Sequence, residues 1–157
     1  MERMVFIFGS NSVTPVSAIE EGVRSLSRFS RIVARSSFYV TEPVGREGLP
    51  WFVNHGVLAE TGNEPEEILY AIKEIEKEAG RLFSSSYLPR PLDVDIAAGT
   101  VMVKSGHLQI PHPRLKERLF MLAPIQEIAP EMDLTGKGER AADLIRLLPS
   151  GERVVRL

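Results

Sequence analysis

The sequence predicts an α+β fold in which helices pack on an antiparallel sheet. Three features carry that expectation. Short runs rich in β-branched and aromatic residues are bounded by glycine, proline and serine clusters. Two other segments repeat apolar residues at helical spacing. The resulting order, β-α-β-β-α-β, is one that a sheet with helices on one face accommodates.

The elements follow in order. Residues 5–8 form a short apolar strand ending in the turn Gly9-Ser10-Asn11. Thr14 is placed to cap a helix that starts at Pro15, and Ile19, Val23 and Leu26 continue it to about residue 28. Residues 31–41 (RIVARSSFYVT) read as a long strand, and 42–51 (EPVGREGLPW) as a loop. Residues 52–60 read as a strand with Phe52, Asn54 and Gly56 on one face and Val53, His55 and Val57 on the other. A helix opens at Glu64-Pro65-Glu66 and carries Leu69, Ile72, Ile75 and Ala79 to Gly80, a natural stop. A serine-rich loop occupies 81–89. Residues 92–97 form a strand, and 101–103 are placed to pair back on it as a hairpin. A short strand at 107–113 ends between two prolines. Helical turns and a helix follow over 114–129, then a short helix at 141–148 and a last strand at 153–157. The pattern is that of a ferredoxin-like fold.

Composition narrows the function. The 157 residues suit one domain, residues 1–157, with a proper core. A net charge of −2 argues against a generally basic nucleic-acid surface. With no cysteine there are no disulfides, thiolate metal sites or cysteine nucleophile, which fits the reducing cytoplasm. No apolar run approaches the roughly 18 residues of a membrane span.

The stretch PRPLDVDI, residues 89–96, raises the chemical question. Strand alternation sends Asp93 and Asp95 to one face and Leu92, Val94 and Ile96 to the other. Two like charges this close repel unless the face is wet or cations sit on it. Taken alone, the pair fits a solvated strand face or a cation site. Mg²⁺ takes few carboxylates together with waters and phosphate oxygens, and Arg90 and Arg81 nearby are the cations that a phosphate site needs.

At this point the chain resembles the 6-hydroxymethyl-7,8-dihydropterin pyrophosphokinase family of the folate pathway. Its signature P-R-x-L-D-x-D-I stands here as Pro89-Arg90-Pro91-Leu92-Asp93-Val94-Asp95-Ile96. Further landmarks run in family order over residues 5–131. They are Gly9-Ser10-Asn11, Ser36-Ser37-Phe38-Tyr39, Phe52-Val53-Asn54, Glu76, Gly80-Arg81, Ile110-Pro111-His112, Arg118, Phe120-Met121-Leu122 and Glu127-Ile128-Ala129-Pro130-Glu131. The resemblance implies transfer of diphosphate from ATP to the pterin's hydroxymethyl group, with release of AMP. It implies that Asp93 and Asp95 hold two Mg²⁺ ions. Arg90, His112 and Arg118 join them as catalytic residues on the phosphates. Glu76, Arg81, Tyr87 and Ile96 fall on the ATP side. Phe52 and Phe120 correspond to aromatics that stack the pterin, and Asn54 to the amide that reads its edge, with Thr41, Pro43 and Val44 beside it. Small-molecule substrates, no nucleic acid, no membrane and a monomer are the implied setting.

The ATP side departs from the family pattern. The loop 82–88 carries no positive charge, and Lys73, His107 and Pro113 stand where Gln, Arg and Tyr are common. Weaker ATP binding or a slower loop is the corresponding expectation. Two rival readings keep parts of the pattern: a metal-dependent transferase acting on another ring alcohol, and a ferredoxin-like binding module without chemistry.

Overall fold

Alternation along strand β1 (Glu2–Ser10) divides the molecule into two cores. Met4, Phe6 and Phe8 point to one face of the sheet, and Val5 and Ile7 to the other. The computed structural model describes residues 1–42, 51–83, 91–149 and 151–157, and only the backbone of residues 81–83. After β1 come α1 (Pro15–Leu26), β2 (Arg31–Thr41), β3 (Phe52–Thr61), α2 (Pro65–Phe83), β4 (Asp93–Gly99), β5 (Val103–Lys104) and β6 (Gln109–Ile110). A 3₁₀ turn (Leu115–Glu117), α3 (Leu119–Ile128), α4 (Ala141–Arg146) and β7 (Val154–Arg156) follow. Among the described residues the main sheet has the order β4-β1-β3-β2-β7, antiparallel throughout. The first four strands have the order expected of a ferredoxin-like sheet, and β7 extends it beside β2.

The first core lies under α1 and α2. Ile19, Val23 and Leu26 meet Ile68, Ile72, Ile75 and Ala79 over Phe6, Phe8, Val57, Val94 and Ile96. Burying each large side chain contributes about 1.5–3 kcal/mol. The second core lies under α3 and α4, where Met121, Leu122, Ile125, Ala141 and Leu144 cover Val5, Ile7 and Leu58. The sequence reading placed helices on one face alone. Both faces are covered because the central strands are apolar on both. Residues 119–128 are apolar nearly all round, so their periodicity does not reveal which surface they seek.

Four local expectations are corrected. Helix α2 runs through Gly80 to Phe83, because Gly80 does not take the positive φ that a glycine stop requires. Ile68, rather than Leu69, is the fully buried member of its first turns. Residues 101–103 do not pair back on β4; Val103 and Lys104 pair with Ile110 and Gln109. After Gly99 the chain is drawn across to β1, where the Thr100 amide donates to the Arg3 carbonyl at 2.9 Å. Thr14 occupies the cap position of α1, but its side chain makes no capping hydrogen bond.

Two polar clusters tie the layers together. The Glu127 carboxylate, on α3, accepts from the Ser37 amide and hydroxyl at 3.0 Å and from the Tyr39 hydroxyl at 2.7 Å. Burial would raise its pKa, but the hydrogen bonds from Tyr39 and Ser37 outweigh it and hold the carboxyl below the usual range. Burial and the same bond push the Tyr39 hydroxyl up to about 12. On the opposite face, the His55 ring stacks on Phe38 with centroids 4.3 Å apart, and its Nε2 accepts from Arg35 Nε at 3.0 Å.

Candidate active site

Strand alternation and register bring the predicted residues to one end of the sheet, on its α3 face. Asp93 stands beside Gly9 and Asp95 beside Ile7 on β1, and Asn54 flanks Gly9 from β3. Both aspartates are half-buried, while Leu92, Val94 and Ile96 pack into the opposite core. A cavity of about 290 Å³ opens over this floor, lined by Asp93, Asp95, Thr41, Phe52, Asn54, His112, Arg118 and Phe120. Eight residues predicted from sequence thus meet in one place.

A second cavity of about 310 Å³ lies beside α2 and β6, and its lining includes Lys73, Ile96, His107 and Gln109. Asp95 and His112 line both cavities. Side chains at this junction can therefore act on two molecules at once.

The residues at the junction are tightly oriented. The His112 amide donates to the Ala97 carbonyl at 2.9 Å, pinning its segment to the end of β4. Its Nδ1 accepts from the Arg114 amide at 3.0 Å. The neutral ring therefore carries its proton on Nε2, which lies 3.9 Å from Asp95 Oδ1. Burial lowers the His112 pKa; Asp95 opposes this, and Arg118 and Arg114 add to it. Arg118 is the residue at which the 3₁₀ turn gives way to α3.

The opposite wall is equally ordered. Asn54 is 4% exposed, and its Nδ2 donates to Thr41 Oγ1 at 2.7 Å. That bond leaves the amide oxygen toward Gly9. A Cβ on Gly9 would stand 2.8 Å from that oxygen, so glycine at this position is what gives the amide its room.

Glu76, expected on the ATP side, is held by a contact to β4. It lines neither cavity. Its Oε2 accepts from the Val94 amide at 2.8 Å, which satisfies an edge donor of β4 midway between the two aspartates. Burial raises its pKa, and that hydrogen bond and Lys73 act against the rise. Pro43, Val44, Tyr87 and Arg90 lie outside the described residues, as does the side chain of Arg81. Sequence reasoning did not single out Ile7, Glu42 and Arg114, and gave Met121 only as a landmark without a role; all four also line the first cavity. Ile7 could have been found from its place two residues before Gly9 on the same strand face.

Two carboxylates on one strand face suit a hard divalent cation that keeps open positions for other oxygens. Among the described residues no three His, Asp or Glu side chains form a complete ligand set. The pair would therefore need oxygens from a bound molecule to complete a metal's coordination. An amide and two half-buried aromatics lining one cavity offer a directional partner and stacking faces to a flat heterocycle.

Comparison with known proteins identifies the family and the fold. Residues 5–130 match the family model described as 7,8-dihydro-6-hydroxymethylpterin-pyrophosphokinase. A 2-amino-4-hydroxy-6-hydroxymethyldihydropteridine pyrophosphokinase of Methylorubrum extorquens is 35% identical over 158 residues, covering 98% of this chain and 99% of that protein. One of Pseudomonas aeruginosa is 31% identical over 152 residues, covering 95% of this chain and 93% of that protein. Among solved structures, Plasmodium falciparum HPPK-DHPS is similar in fold, with a TM-score of 0.68 at 16% identity. That match covers 93% of this chain and 43% of the Plasmodium chain.

Proposed function

Because this chain belongs to the 7,8-dihydro-6-hydroxymethylpterin-pyrophosphokinase family, we propose that its two cavities divide the substrates between them. The family activity is diphosphate transfer to 6-hydroxymethyl-7,8-dihydropterin in folate synthesis, with ATP as co-substrate. The pterin takes the cavity under α3 and the nucleotide takes the one beside α2. The observation that carries this division is the shared wall: Asp95 and His112 face both spaces.

In the reaction, the hydroxymethyl oxygen loses its proton to solvent and bonds to the β-phosphorus of ATP. The bond from that phosphorus to the oxygen bridging the α-phosphorus breaks, and AMP leaves. Positioning and charge stabilisation are the protein's main contributions. Phe52 and Phe120 hold the ring by its faces. The Asn54 amide oxygen accepts from the pterin's N–H edge, and Thr41 keeps that amide in one orientation. His112 donates from Nε2 to a phosphate oxygen at the junction, and the guanidinium of Arg118 pairs with another. Asp93 and Asp95 would hold Mg²⁺, two ions in this proposal. When bound, the metal neutralises phosphate charge and aligns the reacting groups. We assign Arg81, Arg90, Tyr87 and Ile96 to the nucleotide side, and Pro43 and Val44 to the pterin side. Glu76 acts on the nucleotide side through the β4 edge it satisfies.

One domain carrying both substrates, a monomer and a cytoplasmic setting complete the proposal. The absence of cysteine suits a reducing compartment. Among the described residues no helix is long and apolar enough to cross a membrane.

The direct test follows AMP release with Mg²⁺, ATP and the hydroxymethyl-dihydropterin. AMP that forms only with the pterin supports the proposal; AMP formed equally with another alcohol, or none at all, overturns it. Gly9→Ala supplies a sharper prediction. The added methyl would collide with the Asn54 amide oxygen, so the pterin KM should rise about tenfold or more, the cost of one misplaced buried hydrogen bond. The ATP KM should stay within about twofold, by the same reasoning. Steady-state titration of each substrate against the other checks both values.

A further inference from the structure

Residues 152–156 are joined to two lining residues of the first cavity, Phe120 and Thr41, and to Trp51 beside a third. The Glu152 Oε2 accepts from the Phe120 amide at 2.9 Å, at the start of α3. The Arg153 guanidinium lies 5.5 Å from the ring centroid of Trp51, the residue before Phe52. Val154 pairs with Thr41, the partner of Asn54. The C-terminal segment 152–156 therefore reaches the Phe120 backbone, the residue before Phe52, and the Thr41 that holds the Asn54 amide.

Helix α3 needs this help. Arg118 gives it no side-chain cap, no acidic residue stands in its first turn, and Pro124 removes one of its internal hydrogen bonds. Its early amides carry the positive end of the helix dipole, and Glu152 brings a carboxylate to it from 32 residues away.

We propose that Glu152 is a positioning residue for the pterin: it fixes the first turn of α3 so that Phe120 stands at the right separation from Phe52 to clasp a flat ring. This rests on the reading of the first cavity as the pterin site. Glu152 touches no substrate and acts through Phe120, with the Arg153–Trp51 contact steadying the opposite wall.

Glu152→Ala is the test, with Glu152→Gln as the conservative variant whose amide oxygen still accepts from Phe120. Glu152→Ala should raise the pterin KM and dissociation constant about tenfold, the size of a lost helix cap, and leave kcat and the ATP KM within about twofold. Binding is read without turnover from quenching of Trp51, the sole tryptophan. Glu152→Gln should recover most of the loss. An unchanged pterin KM, or pterin and ATP KM values rising together, overturns the proposal. Amide exchange without substrate isolates the mechanical half: in Glu152→Ala it should quicken at residues 120–122 and not at 126–128. Uniform or unchanged exchange also overturns the proposal. Quickened exchange at 120–122 in a protein whose wild type binds no pterin would leave the positioning of α3 standing and remove the substrate assignment.

Discussion

Asp95→Ala should lower turnover on the order of a thousandfold or more, because the interaction removed is worth several kcal/mol in the transition state. Asp95 lines both cavities and lies 3.9 Å from the Nε2 of His112. It is the side chain through which a cation and the transferring phosphates would meet. Its side chain is 43% exposed, on a polar stretch of the sheet face, so little packing is lost with it. The thermal midpoint should stay within a few degrees of wild type, as expected of a half-exposed site outside the core. Asp95→Asn keeps the shape and removes the charge, and should be nearly as impaired. Full activity of either variant with Mg²⁺ would remove the carboxylate pair from the mechanism. A collapsed fold in Asp95→Ala with a sound fold and full activity in Asp95→Asn would make Asp95 structural.

His55 alone should lower stability by about 3 kcal/mol as pH drops from 7 to 4. His55 is 1% exposed between β2, α1 and the sheet, and burial lowers its pKa from 6.5 to about 4, with Arg35 adding to the shift. Glu20 from α1 and Glu127 from α3 act in the opposite sense but do not cancel it. In the unfolded chain the ring binds a proton as pH falls through 6.5; in the folded chain it resists until about 4. The unfolded state therefore holds more protons across that window, and the folded state is favoured less and less down it. Below about pH 4 this group adds no further loss. Glu20, Glu60 and Glu127 have lowered pKa values and lose their stabilising interactions lower on the scale, beneath the ordinary carboxylate value. Urea unfolding at pH 7 and pH 4.5 measures the fall. His55→Gln, whose amide can still accept from Arg35, should flatten it. An equal fall in both proteins would show that His55 does not carry the dependence.

Much of the site was legible before any coordinates. The run 31–41 is bounded by the same residues as β2, because β-branched and aromatic residues persist to a sharp change in composition at Glu42. Asp93 and Asp95 share a face for the same local reason that Phe52 and Asn54 do, the two-residue period of a strand. The roles of Gly9, Glu76 and Glu152 were not legible. Each depends on a partner from another element: Asn54 on β3, Val94 on β4 and Phe120 on α3. No spacing within one segment encodes such a meeting. Gly80 misled because glycine ends a helix only when the backbone turns left-handed there, and tertiary packing decides whether it does.

Acting through local period and composition, the sequence by itself determined where strands and helices form, which side chains share a face, and that two carboxylates would stand together; its resemblance to a known family implied the aromatics beside them. Only the tertiary structure decided that helices cover both faces of the sheet, that two cavities meet at Asp95 and His112, and that Glu152 from the C-terminal segment accepts from the Phe120 amide at one of them. The physical reason is that these features come from contacts between segments far apart in the chain. Such contacts depend on which apolar surfaces find each other and which buried donors are left to satisfy, and neither is written in the periodicity of any one segment.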